Sequence, residues 1–154
     1  MVTKAQRQPY LFSILLADDD PDDCIFFKEA VEALQFTTSI IMVNDGEQLM
    51  QFLIKNNSPL PDALFLDLNM PRKNGFECLA EIKQTPLLQL LPVVIFSTSL
   101  EQDVVNQLYN NGAQYFIRKP ADFFQFKKII QLTIQLLSQN NITATEREDF
   151  VITV

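Results

Sequence analysis

The chain has 154 residues, 47% of them apolar, and a formal net charge of −7 at pH 7. That size and composition suit one globular domain with one sizeable core and exclude a disordered chain. The acidity argues against a general binder of nucleic-acid phosphates, and the complete absence of histidine removes Ser-His-Asp and Cys-His catalysis and every His-ligated metal.

Met1 to Pro9 reads as a polar lead-in, with no basic-then-apolar signal pattern. Tyr10 to Ala17 is a short apolar run suited to a strand buried on both faces. The acids Asp18 to Asp20 and Asp22 to Asp23 follow it, interrupted by Pro21. Asp20 before Pro21 predicts a helix start, with Pro at the first helical position and acids in the first turn. Ile25, Phe26, Ala30, Val31 and Leu34 supply the helical stripe. Thr38 to Val43 is β-branched and predicts a second strand, after which Asp45 can cap a helix through Leu49, Met50, Leu53 and Ile54. Asn56 to Pro61 is a polar loop, and Ala63 to Leu66 is the third strand.

That strand ends abruptly in Asp67, followed by Leu68-Asn69-Met70-Pro71-Arg72-Lys73-Asn74-Gly75. Phe76, Leu79, Ala80 and Ile82 mark a third helix ending near Pro86. Pro92 to Phe96 is the fourth strand, ending in Ser97-Thr98-Ser99. Glu101 to Asn110 fits a fourth helix, stopped by Asn111-Gly112. Gln114 to Ile117 is a fifth strand running into Arg118-Lys119-Pro120. Asp122 can cap a last helix carrying Phe123, Phe126, Ile129, Ile130, Leu132, Thr133 and Leu137, and Phe123, Phe124 and Phe126 cannot all face the core. The expected division is a lead-in at 1–9, one domain at 10–137 and a tail at 138–154 with an extended end from Phe150.

Five strand-then-helix units with short connections imply a doubly wound α/β fold around a five-stranded parallel sheet. All five carboxyl ends then lie on one edge, where ligands bind in such sheets. Asp67 alone could be a turn former, but three other strands end in chemistry: Asp18 and Asp19, Ser97, and Lys119. Carboxylates sharing one pocket repel each other unless a cation offsets them, and hard oxygen donors suit Mg²⁺. A Lys and a hydroxyl beside them can meet phosphoryl oxygens. Together they describe phosphoryl transfer onto a carboxylate. The two cysteines, Cys24 and Cys78, have no paired spacing and form neither a disulfide framework nor a zinc site.

These residues resemble the receiver domain of bacterial two-component response regulators. The likeness covers roughly residues 10–137 and rests on the acid pair after strand one, the Asp67-x-Asn69-Met70-Pro71 run with Gly75 beyond it, the strand-four hydroxyl and Lys119-Pro120. It implies the flavodoxin-like strand order 2-1-3-4-5. It implies Asp67 as phosphoacceptor for a sensor histidine kinase, and Asp19, Asp18 (through a water) and the Asn69 carbonyl joining Asp67 around Mg²⁺. Ser97 would be the switch hydroxyl, Lys119 the phosphate-contacting cation, and the Lys119–Pro120 peptide would be cis. Many members carry a Tyr three residues before that Lys; here it is Phe116, with Tyr115 beside it, so any aromatic switch lacks the hydroxyl.

The Asp67 to Gly75 run also resembles small receivers that serve bacterial phytochromes, which points to a phytochrome-type kinase. With 154 residues there is no room for an output domain, so signalling would pass through protein contact or a homodimer. No nucleic acid or membrane partner is expected, and a cytoplasmic setting follows from the missing leader and spanning run. The alternatives are a binding module that works without phosphate and an Asp-nucleophile phosphohydrolase. The second is weakened by Asn69, which stands where such enzymes often place an acid.

Overall fold

The computed structural model describes residues 11–35, 38–55, 59–139 and 145–153. The lead-in at 1–9, Tyr10 at the expected start of the first strand, and part of the 56–61 loop lie outside them.

Strands and helices alternate: β1 (Phe12–Ala17), α1 (Pro21–Glu32), β2 (Thr38–Val43), α2 (Gly46–Lys55), β3 (Ala63–Asp67), α3 (Gly75–Gln84), β4 (Val93–Ser97), α4 (Gln102–Asn110), β5 (Tyr115–Arg118), α5 (Phe123–Gln139) and β6 (Val151–Ile152). The sheet is parallel throughout, in the order β2-β1-β3-β4-β5-β6. The doubly wound α/β arrangement and the 2-1-3-4-5 order stand as expected, with a short sixth strand added at the β5 edge.

Every residue of β3 and β4 is buried, because helices cover both faces. Strand residues alternate between two apolar layers. Leu15, Leu64, Leu66, Ile95 and Phe116 meet Leu49, Leu53, Leu79, Ile82 and Leu108 from α2, α3 and α4. Ile14, Leu16, Phe65, Phe96 and Ile117 meet Phe27, Ala30, Phe126, Ile129 and Ile130 from α1 and α5.

Helix starts follow the local chemistry. The Asp20 carboxylate accepts from the Asp22 and Asp23 amides at 2.9 and 3.4 Å, and Pro21 opens α1. Asp45 accepts from Gln48 N at 2.8 Å, and Asp122 from Gln125 N at 3.1 Å. Asn74 and Glu77 form a reciprocal capping box at α3. Gly112, at φ 94°, takes the left-handed backbone that closes α4.

Three expectations change. The buried stripe of α1 is Phe27, Ala30 and Val31, while Ile25 is exposed. Counting back three and four residues from Ala30 and Val31 reaches Phe27, which puts Ile25 and Phe26 off the stripe. Phe26 instead meets Phe123 and Phe126 edge-on at 5.2 and 6.0 Å. On α5 the aromatic left outside is Phe124, which is 79% exposed, and Leu132 is half-exposed where a core position was expected.

The third change is at Lys119–Pro120, which is trans, since no peptide bond among the described residues is cis. Trans is the lower-energy form of an X–Pro bond.

The described part of the tail is built into the fold. Val151 and Ile152 pair with Phe116 and Ile117, so within the expected extended end the paired strand is Val151–Ile152, and Val154 lies outside the described residues. Phe150 is fully buried against Tyr109 and Phe116, with ring centroids at 5.2 and 6.4 Å. Arg147 donates two hydrogen bonds to Asn106 Oδ1 of α4, at 3.1 and 2.8 Å. Among the described residues no helix is long and apolar enough to cross a membrane.

Candidate functional site

The carboxyl ends of β1, β3, β4 and β5 converge on one acidic pocket. Asp18 follows β1 and is fully buried, its backbone held by Asp18 N donating to Val43 O at 3.2 Å. Its Oδ1 accepts from Asp20 N at 2.9 Å. Asp19, next in the chain, is exposed. Asp67 is the last residue of β3 and is buried. Carboxylate oxygens of Asp18, Asp19 and Asp67 all lie within 4.8 Å of one another.

Lys119 reaches this pocket from the end of β5. Its backbone N–H donates to Ser97 O at 2.7 Å, which ties the ends of β4 and β5 together. Its ammonium donates to Asp23 Oδ2 at 2.8 Å and Asp18 Oδ2 at 3.0 Å, and stands 3.5 Å from Asp67 Oδ1. The Phe96 ring lies 4.7 Å from the same nitrogen. The Lys119 side chain is only 7% exposed, so water screens these charges weakly.

Close packing behind the pocket fixes Asp67. Gly75 N donates to Leu68 O at 2.9 Å. A Cβ on Gly75 would sit 2.5 Å from the Asp67 carbonyl oxygen and 2.8 Å from Leu68 Cα, so only glycine fits there. Between them Arg72 adopts φ 69°, an uncommon backbone for a non-glycine residue, and its guanidinium faces Asp45 and Glu47 at 3.5 and 3.8 Å.

Electrostatics follow from burial and crowding. The Asp67 carboxyl is pushed up to about 7, first by burial and further by Asp18, with Lys119 pulling against the rise. Burial likewise raises Asp18, against the pull of Lys119. Burial works against the charge on Lys119, but the hydrogen bond to Asp23 and the charges of Asp18 and Asp67 outweigh it and hold the ammonium above its ordinary value. The pocket therefore has an excess of negative charge that one Lys does not balance. A set of close, hard carboxylate oxygens with that excess fits a divalent cation.

Of the residues expected from sequence, the structure brings Asp18, Asp19, Asp67 and Lys119 together. Ser97 is buried at the adjoining end of β4, its Oγ accepting from Ser99 N at 3.3 Å. Asn69 lies two residues beyond Asp67 and is exposed; its N–H points at Asp67 Oδ1 across a long 3.5 Å. Phe116 does not join the pocket. It faces the α4 side of the sheet, against Phe150. Asp23 is the contact that sequence reasoning did not assign. Its one signal was membership of the acid run, one helical turn beyond Asp19.

Residues 14–131 match the family model described as the response regulator receiver domain. The chain belongs to the response regulator receiver family. It is 35% identical over 122 residues to the response regulator Rcp1 of Synechocystis sp., a match covering 77% of this chain and 83% of that protein. Among solved structures, the phosphorylated cyanobacterial phytochrome response regulator RcpA superimposes with a TM-score of 0.80 at 31% identity, covering 84% of this chain and 96% of that one. The Mn²⁺-bound form of Rcp1 does so with a TM-score of 0.78 at 33% identity, covering 86% and 99%. This response regulator thus carries the acidic pocket of Asp18, Asp19 and Asp67 that is typical of phosphoaccepting receivers, and a divalent cation suits it.

Proposed function

We propose that this chain is a single-domain response regulator in which Asp67 accepts a phosphoryl group from a sensor histidine kinase. The observation that carries the reading is the place of Asp67: at the carboxyl end of β3, within 4.8 Å of two further carboxylates, with Lys119 Nζ at 3.5 Å. An Asp67 carboxylate oxygen forms a bond to phosphorus as the P–N bond of the donor phosphohistidine breaks. The product is an acyl phosphate. Water later cleaves it, returning the carboxylate and inorganic phosphate, so the chain catalyses its own phosphorylation and dephosphorylation.

Lys119 Nζ meets the charge on the phosphoryl oxygens, and the Ser97 hydroxyl donates to one of them. Asp18, Asp19, Asp67 and the Asn69 carbonyl would hold Mg²⁺, which supplies charge neutralisation for the transferring group. Ser97 and Phe116 carry the change of state to the α4 and β5 surface, where a downstream protein or a second copy reads it. The likeness to RcpA, a phytochrome response regulator, supports a phytochrome-type kinase as donor, and a cytoplasmic setting goes with that partner. Residues 10–137 make up the receiver unit, and neither nucleic acid nor membrane is a partner.

Intact-protein mass after incubation with Mg²⁺ and a small phosphodonor tests this reading. The expected result is a gain of one phosphoryl group, lost in Asp67→Asn and lost on chelation. No gain, together with no binding of beryllofluoride, would replace it with a binding module that works without phosphorylation.

A further inference from the structure

Lys119 has a partner that belongs neither to the carboxylate cluster around Asp67 nor to the transferring group. Asp23, in the first turn of α1, accepts from its ammonium at 2.8 Å, closer than Asp18 at 3.0 Å and Asp67 at 3.5 Å. Asp23 is not among the three carboxylates gathered within 4.8 Å of one another. The side chain of Asp23 is 20% exposed and that of Lys119 only 7%, so the pair sits at the mouth of the pocket, partly shielded from water.

We infer that Asp23 restrains Lys119 in the resting pocket and so sets how readily Asp67 takes up a phosphoryl group. The inference rests on the proposed phosphoacceptor role of Asp67. Two effects act in the same direction. An arriving phosphoryl oxygen must share or win the ammonium that Asp23 already holds. The Asp23 carboxylate also adds a negative charge at the rim that repels the incoming anion. Asp23 is therefore a positioning residue that acts through Lys119. Removing its charge releases Lys119 toward Asp67 and strengthens binding of a phosphoryl-like anion. Loss of a helix-start acid alone has no means of doing that, because its effect is confined to the stability of α1.

The experiment measures half-saturation by beryllofluoride at fixed Mg²⁺ for wild type, Asp23→Asn, Asp23→Glu, Lys119→Gln and the Asp23→Asn/Lys119→Gln pair. The lifetime of the phosphorylated form is followed alongside. Asp23→Asn is expected to bind beryllofluoride about fivefold more tightly, the effect of freeing one partly exposed charged pair. Asp23→Glu, which keeps the charge, should return toward wild type. In the Lys119→Gln background most of the gain should vanish. Equal or weaker binding by Asp23→Asn overturns the inference, and so does a full gain that persists without Lys119. If wild type itself fails to bind beryllofluoride, the phosphoacceptor reading fails instead, and the two failures are told apart.

Discussion

Replacing Asp67 with Asn should stabilise the metal-free protein at alkaline pH. The carboxyl is pushed from 3.8 to about 7, first by burial and then by Asp18, with Lys119 offsetting part of the rise. At 1.36 kcal/mol per unit, a rise of three units places an upper bound of about 4 kcal/mol on the penalty for holding the charged form in the fold. Asn keeps the shape and drops the charge, so a gain of about 2–4 kcal/mol is expected at pH 8 in chelator. The sign can be checked against pH. Between 3.8 and about 7 the native state keeps a proton on Asp67 that the unfolded state has released, so this group's contribution to stability falls as pH rises through that window. It levels off above the folded value. The mutant has no such slope, and its advantage should shrink toward pH 5. Urea unfolding at pH 5 and pH 8 in chelator measures both quantities, provided the m-value is unchanged. Adding Mg²⁺ should reverse the order, because a cation that binds only the native wild-type pocket stabilises it by mass action. A mutant no more stable than wild type at pH 8, or an equal gap at both pH values, would refute the reasoning.

Other perturbations reach the framework around the pocket. Phe150→Ala removes a fully buried ring packed on Tyr109 and Phe116, and should lower stability by about 3–5 kcal/mol in the same unfolding assay; a loss under about 1 kcal/mol would mean that β6 is not part of the cooperative fold. Gly75→Ala drives a methyl into the Asp67 carbonyl and the Leu68 backbone, so stability should fall by roughly 1–3 kcal/mol and phosphoryl uptake should fall with it. Wild-type uptake by that variant would show that the backbone there yields without moving Asp67. Asn74→Ala breaks the capping box of α3 and should cost about 1 kcal/mol while leaving uptake within a small factor of wild type.

Most of the sheet was legible because it is buried on both faces. β3 and β4 read as short apolar runs bounded by Pro, Asp and Ser, and their shortness and those flanks decide for a strand over a buried helix segment. The helix starts were legible because Asp20, Asp45 and Asp122 announce them through cap chemistry that needs only neighbouring residues. The α1 stripe was misphased because Cys24 to Phe27 offers four apolar residues in a row, and period alone does not choose among them. Packing chose Phe27, whose ring meets Phe65 and Phe96 from the sheet at 4.9 and 6.3 Å. The sixth strand was legible only as an extended stretch. Its pairing with β5 depends on contacts more than thirty residues apart, such as Gln114 Nε2 donating to Thr145 Oγ1 at 2.7 Å.

The site shows the same division between what strand ends declare and what only three dimensions bring together. Asp67 ends β3, Asp18 and Asp19 follow β1 and Lys119 follows β5, and parallel topology alone gathers these strand ends on one edge. Asp23 enters by a different route. It lies on α1, on the opposite face of the sheet from α3, and its carboxylate reaches Lys119 Nζ just beyond the end of β5 at 2.8 Å. No spacing rule links position 23 to position 119. The consequence is electrostatic: three carboxylates pair with one ammonium, and the shortest of its ion pairs is to the one that lies outside the Asp18, Asp19 and Asp67 cluster. A resting pocket arranged in this way is under-neutralised around Asp67, which favours arrival of a cation there. It is held at Lys119 by Asp23, which on the inference above would restrain an arriving phosphoryl group.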